Sequence, residues 1–261
     1  ALVASVLMVI YHSPSFALHD GTKIDITKAP WTVGIFTLHK FCGGSILSKD
    51  YVVTAASCVY EEPIENTSIF YESSNLYRDR EKFVWAGEYF IFPRYRNDTL
   101  LNNIALIKTK TPMTLDGQKS KAINLPVVVY EPEKGSNVSV SGYGDVSGEP
   151  LPKKLNDTSK YDLKAANFTV QDRSECAKKY KDKYTDYETF CAKGFGDVYI
   201  EQGDIGDPAV QKNKTNCDVL AGFVSFANLT LHEPLTIFTK VGSYVYWIAD
   251  IMKNKTKPKK I

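Results

Sequence analysis

Acyl-transfer, metal and redox chemistry draw on a short list of side chains, and this chain offers few of them in usable groupings. Its four histidines are scattered: His12 lies beside an apolar N-terminal run, and His19, His39 and His232 stand far apart. No cluster of His, Cys, Asp or Glu has the spacing of a metal site, so neither a metal nor a cofactor is expected. Five cysteines, at 42, 58, 176, 191 and 217, leave one thiol over in an oxidising compartment. The chemistry that spacing does announce is covalent modification. Eight of the 13 asparagines open an Asn-x-Ser/Thr sequon, at Asn66, Asn97, Asn137, Asn156, Asn167, Asn213, Asn228 and Asn254, none with Pro in the middle. That density points to a glycan-clad exterior on a secreted protein. Asn137 and Asn167 sit opposite the apolar residues of alternating runs, which sends them outward.

The elements that must position these residues are short strands. The 261 residues are 43% hydrophobic and 24% charged, ordinary for one large β domain or two fused ones. A net charge of +2 lacks the basic concentration that nucleic acid or a membrane surface requires, so neither is an expected partner. Only Lys253 to Lys260 is locally basic, and a solvated tail over residues 254–261 accounts for it. Residues 1–11 form an uncharged apolar run, shorter than the roughly 20 residues that span a bilayer. With the small residues that follow, it reads as a secretory signal over residues 1–17; a buried N-terminal strand is the competing reading. Strand-like runs follow at 31–38, 44–47, 51–55, 83–92, 104–108, 137–141, 165–171, 219–226 and 236–239. Residues 110–134, with Pro112, Pro126 and Pro132, look like a connector between two β halves. Helical periodicity is clear only at the end, where Val241, Tyr244, Val245, Ile248, Ile251 and Met252 form one stripe.

Several segments resemble the trypsin/chymotrypsin family in order and spacing. Phe41-Cys42-Gly43-Gly44-Ser45, followed by Val53-Thr54-Ala55-Ala56-Ser57-Cys58, is similar to the first disulfide loop and histidine motif. Asn102-Asn103-Ile104-Ala105-Leu106 resembles the aspartate motif, Ser141-Gly142-Tyr143-Gly144 a second-barrel turn, and Gly203-Asp204-Ile205-Gly206-Asp207-Pro208 the nucleophile loop. The resemblance covers residues 18 to about 253. It implies an all-β fold of two packed six-stranded antiparallel barrels with a C-terminal α-helix. Residues 18–125 would form the first barrel with the N-terminal segment, and 126–253 the second barrel and helix. It also implies the disulfides Cys42–Cys58 and Cys176–Cys191. Cys217 is left over as a free thiol, buried on one reading and bridging two otherwise monomeric chains on the other.

At the triad positions the chain departs from the pattern. Such catalysis needs a nucleophile, a base to take its proton and a carboxylate to orient the imidazole. Ser57 replaces the base, Asn103 the carboxylate and Ile205 the nucleophile. Losing all three leaves at most oxyanion stabilisation and binding, on the order of 10³–10⁴ over water, and no acyl-enzyme step. An enzyme is therefore not expected. The resemblance places Tyr199, Glu201 and Ala227 at the specificity pocket, where Tyr199 is expected to fill the floor, Glu201 replaces a cysteine and Ala227 a glycine. Gly203, Asp204 and Asp207 fall in the oxyanion loop, with Asp207 standing in for a glycine. Leu18 aligns with the processed N-terminus that pairs with Asp204.

The chain looks most like the inactivated protease paralogues of the scabies mite, related to mite group 3 allergen trypsins. That resemblance implies secretion into the gut lumen and binding of host extracellular proteins, complement components among them. A decoy that competes with active paralogues for substrates or inhibitors, and a residual hydrolase with a rebuilt site, are the alternatives. No Lys or Arg precedes Leu18, so signal removal after Ala17 is expected to generate the mature chain directly. N-terminal sequencing of the secreted protein should begin at Leu18; any other start overturns this.

Overall fold

The computed structural model describes residues 18–144 and 157–255. The expected signal at 1–17, the tail end at 256–261 and Asn156 lie outside them. The strands are β1 (Thr22–Lys23), β2 (Thr32–Phe36), β3 (Phe41–Ser48), β4 (Tyr51–Thr54), β5 (Ser68–Phe70), β6 (Phe83–Ile91) and β7 (Ala105–Thr109), then β8 (Asn137–Gly142), β9 (Lys164–Val170), β10 (Thr189–Gly194), β11 (Pro208–Lys212), β12 (Asp218–Ala227) and β13 (Leu235–Lys240). The helices are α1 (Ala56–Val59), α2 (Arg173–Tyr180) and α3 (Val245–Lys255).

Strands β2-β3-β4-β7-β6-β5 close into one antiparallel barrel. The second barrel runs β9-β10-β13-β12-β11-β8 and closes through β8 on β9. Alternation explains the walls. In β8, Asn137 and Ser139 are exposed while Val138 and Val140 are fully buried, so one face feeds the core and the other meets solvent. At Ser141 and Gly142 the alternation stops and every residue is buried, because here the strand enters the seam between barrels. Val33, Ile35, Val53, Ile69 and Leu106 fill the first barrel, and the same core continues through Leu220 and Phe223 to Tyr244 and Ile248 before and on α3. Phe168, Phe190 and Phe238 dominate the second barrel.

Residues 110–134 hold no strand, and their backbone is laced to both halves. Ile123 donates to Ile46 at 2.9 Å and Leu220 donates to Asn124 at 2.9 Å. Of the N-terminal segment, grouped above with the first barrel, Ala29 and Trp31 join that barrel's core, while Leu18 is buried in the second barrel's core and β1 pairs with β9, Thr22 opposite Ala165. An apolar side chain and a backbone donor both find their partners there, and this outweighs chain proximity.

Four strands and α2 have no counterpart among the expected elements. β1 and β5 are only two and three residues long, and β11 opens on a proline. α2 carries polar residues on most of its surface and buries only Cys176 and Tyr180, four positions apart. Its start was nevertheless written in the chain: Asp172 caps the Ser174 N–H at 2.9 Å, with Glu175 three residues on.

Phe238 is fully buried, stacked on Phe190 at 5.0 Å and edge-on to Phe168 at 5.8 Å. Phe238→Ala should cost about 3–5 kcal/mol of unfolding free energy, measured by denaturant titration. A loss below about 1 kcal/mol would show that the stack is not part of the core's foundation.

Candidate functional site

The loops between the barrels bring Ser57, Asn103 and Ile205 together. Ser57 lies on α1 beside the Cys42–Cys58 disulfide, Asn103 just before β7, and Ile205 in the loop ahead of β11. Asn103 is buried and its amide is fully used. Its Oδ1 accepts the Ser57 N–H at 2.9 Å, and its Nδ2 donates to Ser225 Oγ at 3.0 Å and to Ser57 Oγ at 3.3 Å. The group facing the Ser57 hydroxyl is thus an N–H donor, which cannot take a proton. Ile205 is partly buried and packs against the cores of both barrels, while its carbonyl accepts the Gly43 N–H at 2.8 Å.

A cleft of about 290 Å³ opens over this point, lined by His39, Lys40, Ser57, Gln202, Gly203 and Ile205 among others. The sequence places His39 in a first-barrel loop; the structure adds that the loop borders this cleft. Its ring is held elsewhere, with Nδ1 3.3 Å from the buried Glu62 Oε2. Burial alone would raise Glu62, but hydrogen bonds from Thr37 and the His39 N–H, with the Lys40 charge, outweigh it and keep the carboxyl below its usual range. Lys40 is committed as well, donating to the Ser57 carbonyl at 2.8 Å and pairing with Glu62 at 3.3 Å. These charges neutralise one another.

The loop keeps two left-handed glycines, Gly203 at φ +99° and Gly206 at φ +90°. A Cβ on Gly206 would lie 2.3 Å from the Gly43 carbonyl oxygen, so glycine is required there. Asp207 does not enter the cleft. It points inward, between Gly43 and Gly142 at the barrel seam, next to Asp204. Asp204 in turn accepts the Leu18 N–H at 3.2 Å and the Glu201 N–H at 2.8 Å.

Tyr199 takes a position different from the one expected. Its half-buried ring lies between two imidazoles, stacked on His19 at 4.2 Å and tilted against His232 at 4.9 Å. His19 also donates its N–H to the Tyr199 carbonyl at 3.0 Å, and its ring is 3.9 Å from Glu201. The stack joins the N-terminal segment to the 228–234 loop. Sequence reasoning missed this pairing, because the three residues stand far apart along the chain. Ala227 is buried in β12 opposite Thr236.

Both expected disulfides form, Cys42–Cys58 and Cys176–Cys191, with Cα atoms 6.1 and 5.9 Å apart. Cys217 is free but exposed, which corrects the buried reading. It sits in the β11–β12 turn, where the Asn213 side chain accepts its N–H at 2.9 Å. Asn66, Asn97, Asn137, Asn167, Asn213 and Asn254 are exposed and Asn228 is half-buried. Among the described residues no group of three or more His, Cys, Asp or Glu side chains could hold a metal ion, and no helix is long and apolar enough to cross a membrane.

Two closed barrels, paired disulfides and a cleft at their junction define a serine-protease scaffold whose cleft is lined by Ser57 and Ile205, with the Asn103 amide buried behind Ser57. The chain belongs to the trypsin family, whose pattern matches residues 19–248. It is 29% identical over 236 residues to the trypsin Blo t 3 of Blomia tropicalis, spanning 88% of this chain and 84% of that one. It is 31% identical over 235 residues to human trypsin-3, spanning 88% and 71%. Among solved structures, the scabies mite inactivated protease paralogue S-I1 superposes with a TM-score of 0.78 at 40% identity, covering 89% of this chain and 98% of that one. Paralogue S-D1 gives 0.77 at 41%, covering 92% and 99%.

In folded monomer, Ellman's reagent should titrate about one thiol per chain rapidly, and Cys217→Ser should abolish the signal. A thiol that reacts only after unfolding would restore the buried assignment.

Proposed function

We propose that this chain is a secreted, proteolytically inert trypsin homologue that works by binding other proteins, interfering with host defence proteins such as complement components. One observation carries the inert part: the Ser57 hydroxyl faces the Asn103 amide nitrogen at 3.3 Å, while isoleucine stands at the nucleophile position. The side chain bonded to the Ser57 hydroxyl is a donor, so that hydroxyl's proton has no acceptor there. The two similar structures, both named as inactivated protease paralogues, support the same reading. Two disulfides and a surface rich in exposed sequon asparagines support secretion into an oxidising, glycosylating route.

The sequons also bear on where a partner would sit. Asn137 and Asn167 lie on the paired strands β8 and β9, with Ser139 opposite Asn167, and Asn213 lies in the neighbouring β11–β12 turn. Glycans at all three would cover one wall of the second barrel and turn protein partners toward other faces. The decoy alternative meets the Tyr199 stack: an inhibitor's side chain entering from that side would have to separate three rings.

The purified glycosylated protein should inhibit complement-mediated lysis in host plasma in a dose-dependent way. Ile205→Ala should leave that inhibition unchanged, and a fluorophosphonate probe should label neither form. Probe labelling, or an absence of inhibition, overturns the reading.

A further inference from the structure

Beneath Ile205 the two barrels enclose a pair of carboxyl groups that the cleft does not use. Asp204 and Asp207 are both fully buried, on a turn closed by the Asp207 N–H donating to the Asp204 carbonyl at 3.0 Å. Their side chains leave the same tight turn, three residues apart, and each bears on the other's ionisation. Asp204 Oδ2 has its two backbone donors, from Glu201 and Leu18. Asp204 Oδ1 and both Asp207 oxygens have no N–H or hydroxyl donor. The space is closed by glycine backbone: a Cβ on Gly43 would fall 1.7 Å from Asp207 Oδ1, and one on Gly142 would fall 1.5 Å from Oδ2. The charged neighbour acting on Asp204 besides its partner is Glu201, itself acidic. Tyr143, on the β8 side, commits its hydroxyl to the Ser73 carbonyl at 2.7 Å. From β4, Thr54 Oγ1 is spent on the Gly43 carbonyl at 2.7 Å.

Two fully buried carboxylates in one turn, with three of their four oxygens lacking a donor, cannot both stay ionised without a cation for each. A free α-ammonium at Leu18 would balance one charge, and an amide there balances none. In either case the second is unmatched. We propose that Asp204 and Asp207 share one proton across the barrel seam, Asp207 donating to Asp204, and that this bridge clasps the 201–207 loop and the Leu18 segment to the fold in a pH-dependent way. Ionisation of the pair releases that single proton to solvent and breaks no other bond.

Burial raises both carboxyls, Asp204 to about 7 despite its two N–H donors, and the Asp204 charge raises Asp207 further. A carboxyl that holds its proton more tightly folded than unfolded lends stability that is complete below the unfolded value, near 4, and is lost as pH rises toward the folded one. The clasp is therefore tightest in mild acid and loosens through neutrality. Glu62 and Glu131, whose hydrogen bonds and neighbouring cations hold them below the usual carboxylate range, titrate on the acid side of this window.

Thermal unfolding of the full-length protein tests the proposal, comparing wild type with Asp207→Asn and Asp207→Gly between about pH 5 and pH 8. The wild-type midpoint should fall by roughly 5 °C or more relative to both variants as pH rises. Infrared spectra of wild type with ¹³C-labelled aspartate should show a protonated-carboxyl stretch persisting at neutral pH, and this decides the matter even if neither variant folds. Parallel pH profiles in wild type and variants, or no protonated-carboxyl band at neutral pH, overturn the shared proton.

Discussion

Everything in this molecule hangs on how closely the two barrels approach at one point. The Gly43 N–H reaches the Ile205 carbonyl at 2.8 Å, and the Gly206 backbone passes so near the Gly43 carbonyl that a methyl group would collide. Contacts of that kind fix backbone against backbone and leave no freedom for either barrel to slide. The rest of the seam follows from it. Thr32 and Ser141 hydroxyls meet at 2.7 Å across the barrels, Tyr143 reaches Ser73, and Thr239 donates to the Asn103 carbonyl at 3.0 Å. The cleft residues inherit their positions from this geometry, whatever their chemistry.

That is why a site can lose its reactivity and keep its shape. Asn103 occupies a spot where Oδ1 still receives the Ser57 N–H, and its second amide atom, now a donor, finds the Ser225 hydroxyl. A buried amide with both ends satisfied costs the fold little. Ile205 goes further, because its side chain adds apolar contact to both cores at the place where they meet. Burying even half of such a side chain contributes on the order of 1 kcal/mol. At this point the chain offers satisfied hydrogen bonds and ordinary apolar packing.

How much of this the sequence discloses depends on whether a residue acts through its neighbours in the chain or in space. The β8 and β9 alternations, the α3 stripe and the two cysteine pairs are local patterns or carry the family's spacing, so they were readable. The closure of the barrel by β8 on β9, the attachment of Leu18 to the second barrel and the exposure of Cys217 depend on partners far along the chain or on a turn's own capping. Asn213 is four residues from Cys217, yet nothing in their types alone says that the side chain accepts that N–H. Likewise, His19, Tyr199 and His232 span more than 200 residues and meet only because the N-terminal segment crosses behind the loop that precedes β13.

Asp207 shows the limit most clearly. Read in line, an aspartate in place of a small residue beside Gly206 promises a distorted loop. Folded, the side chain turns away from the cleft into a slot that exists only because Gly43 and Gly142, from different barrels, both lack a Cβ. A carboxyl there couples the loop's position to proton binding, since its oxygens have no other donor. For a chain that must hold an oxyanion in fixed geometry, such coupling would make that geometry follow pH. Here Ser57 and Ile205 line the cleft, and the acid lies behind them in the seam, where it acts on how the barrels are held together.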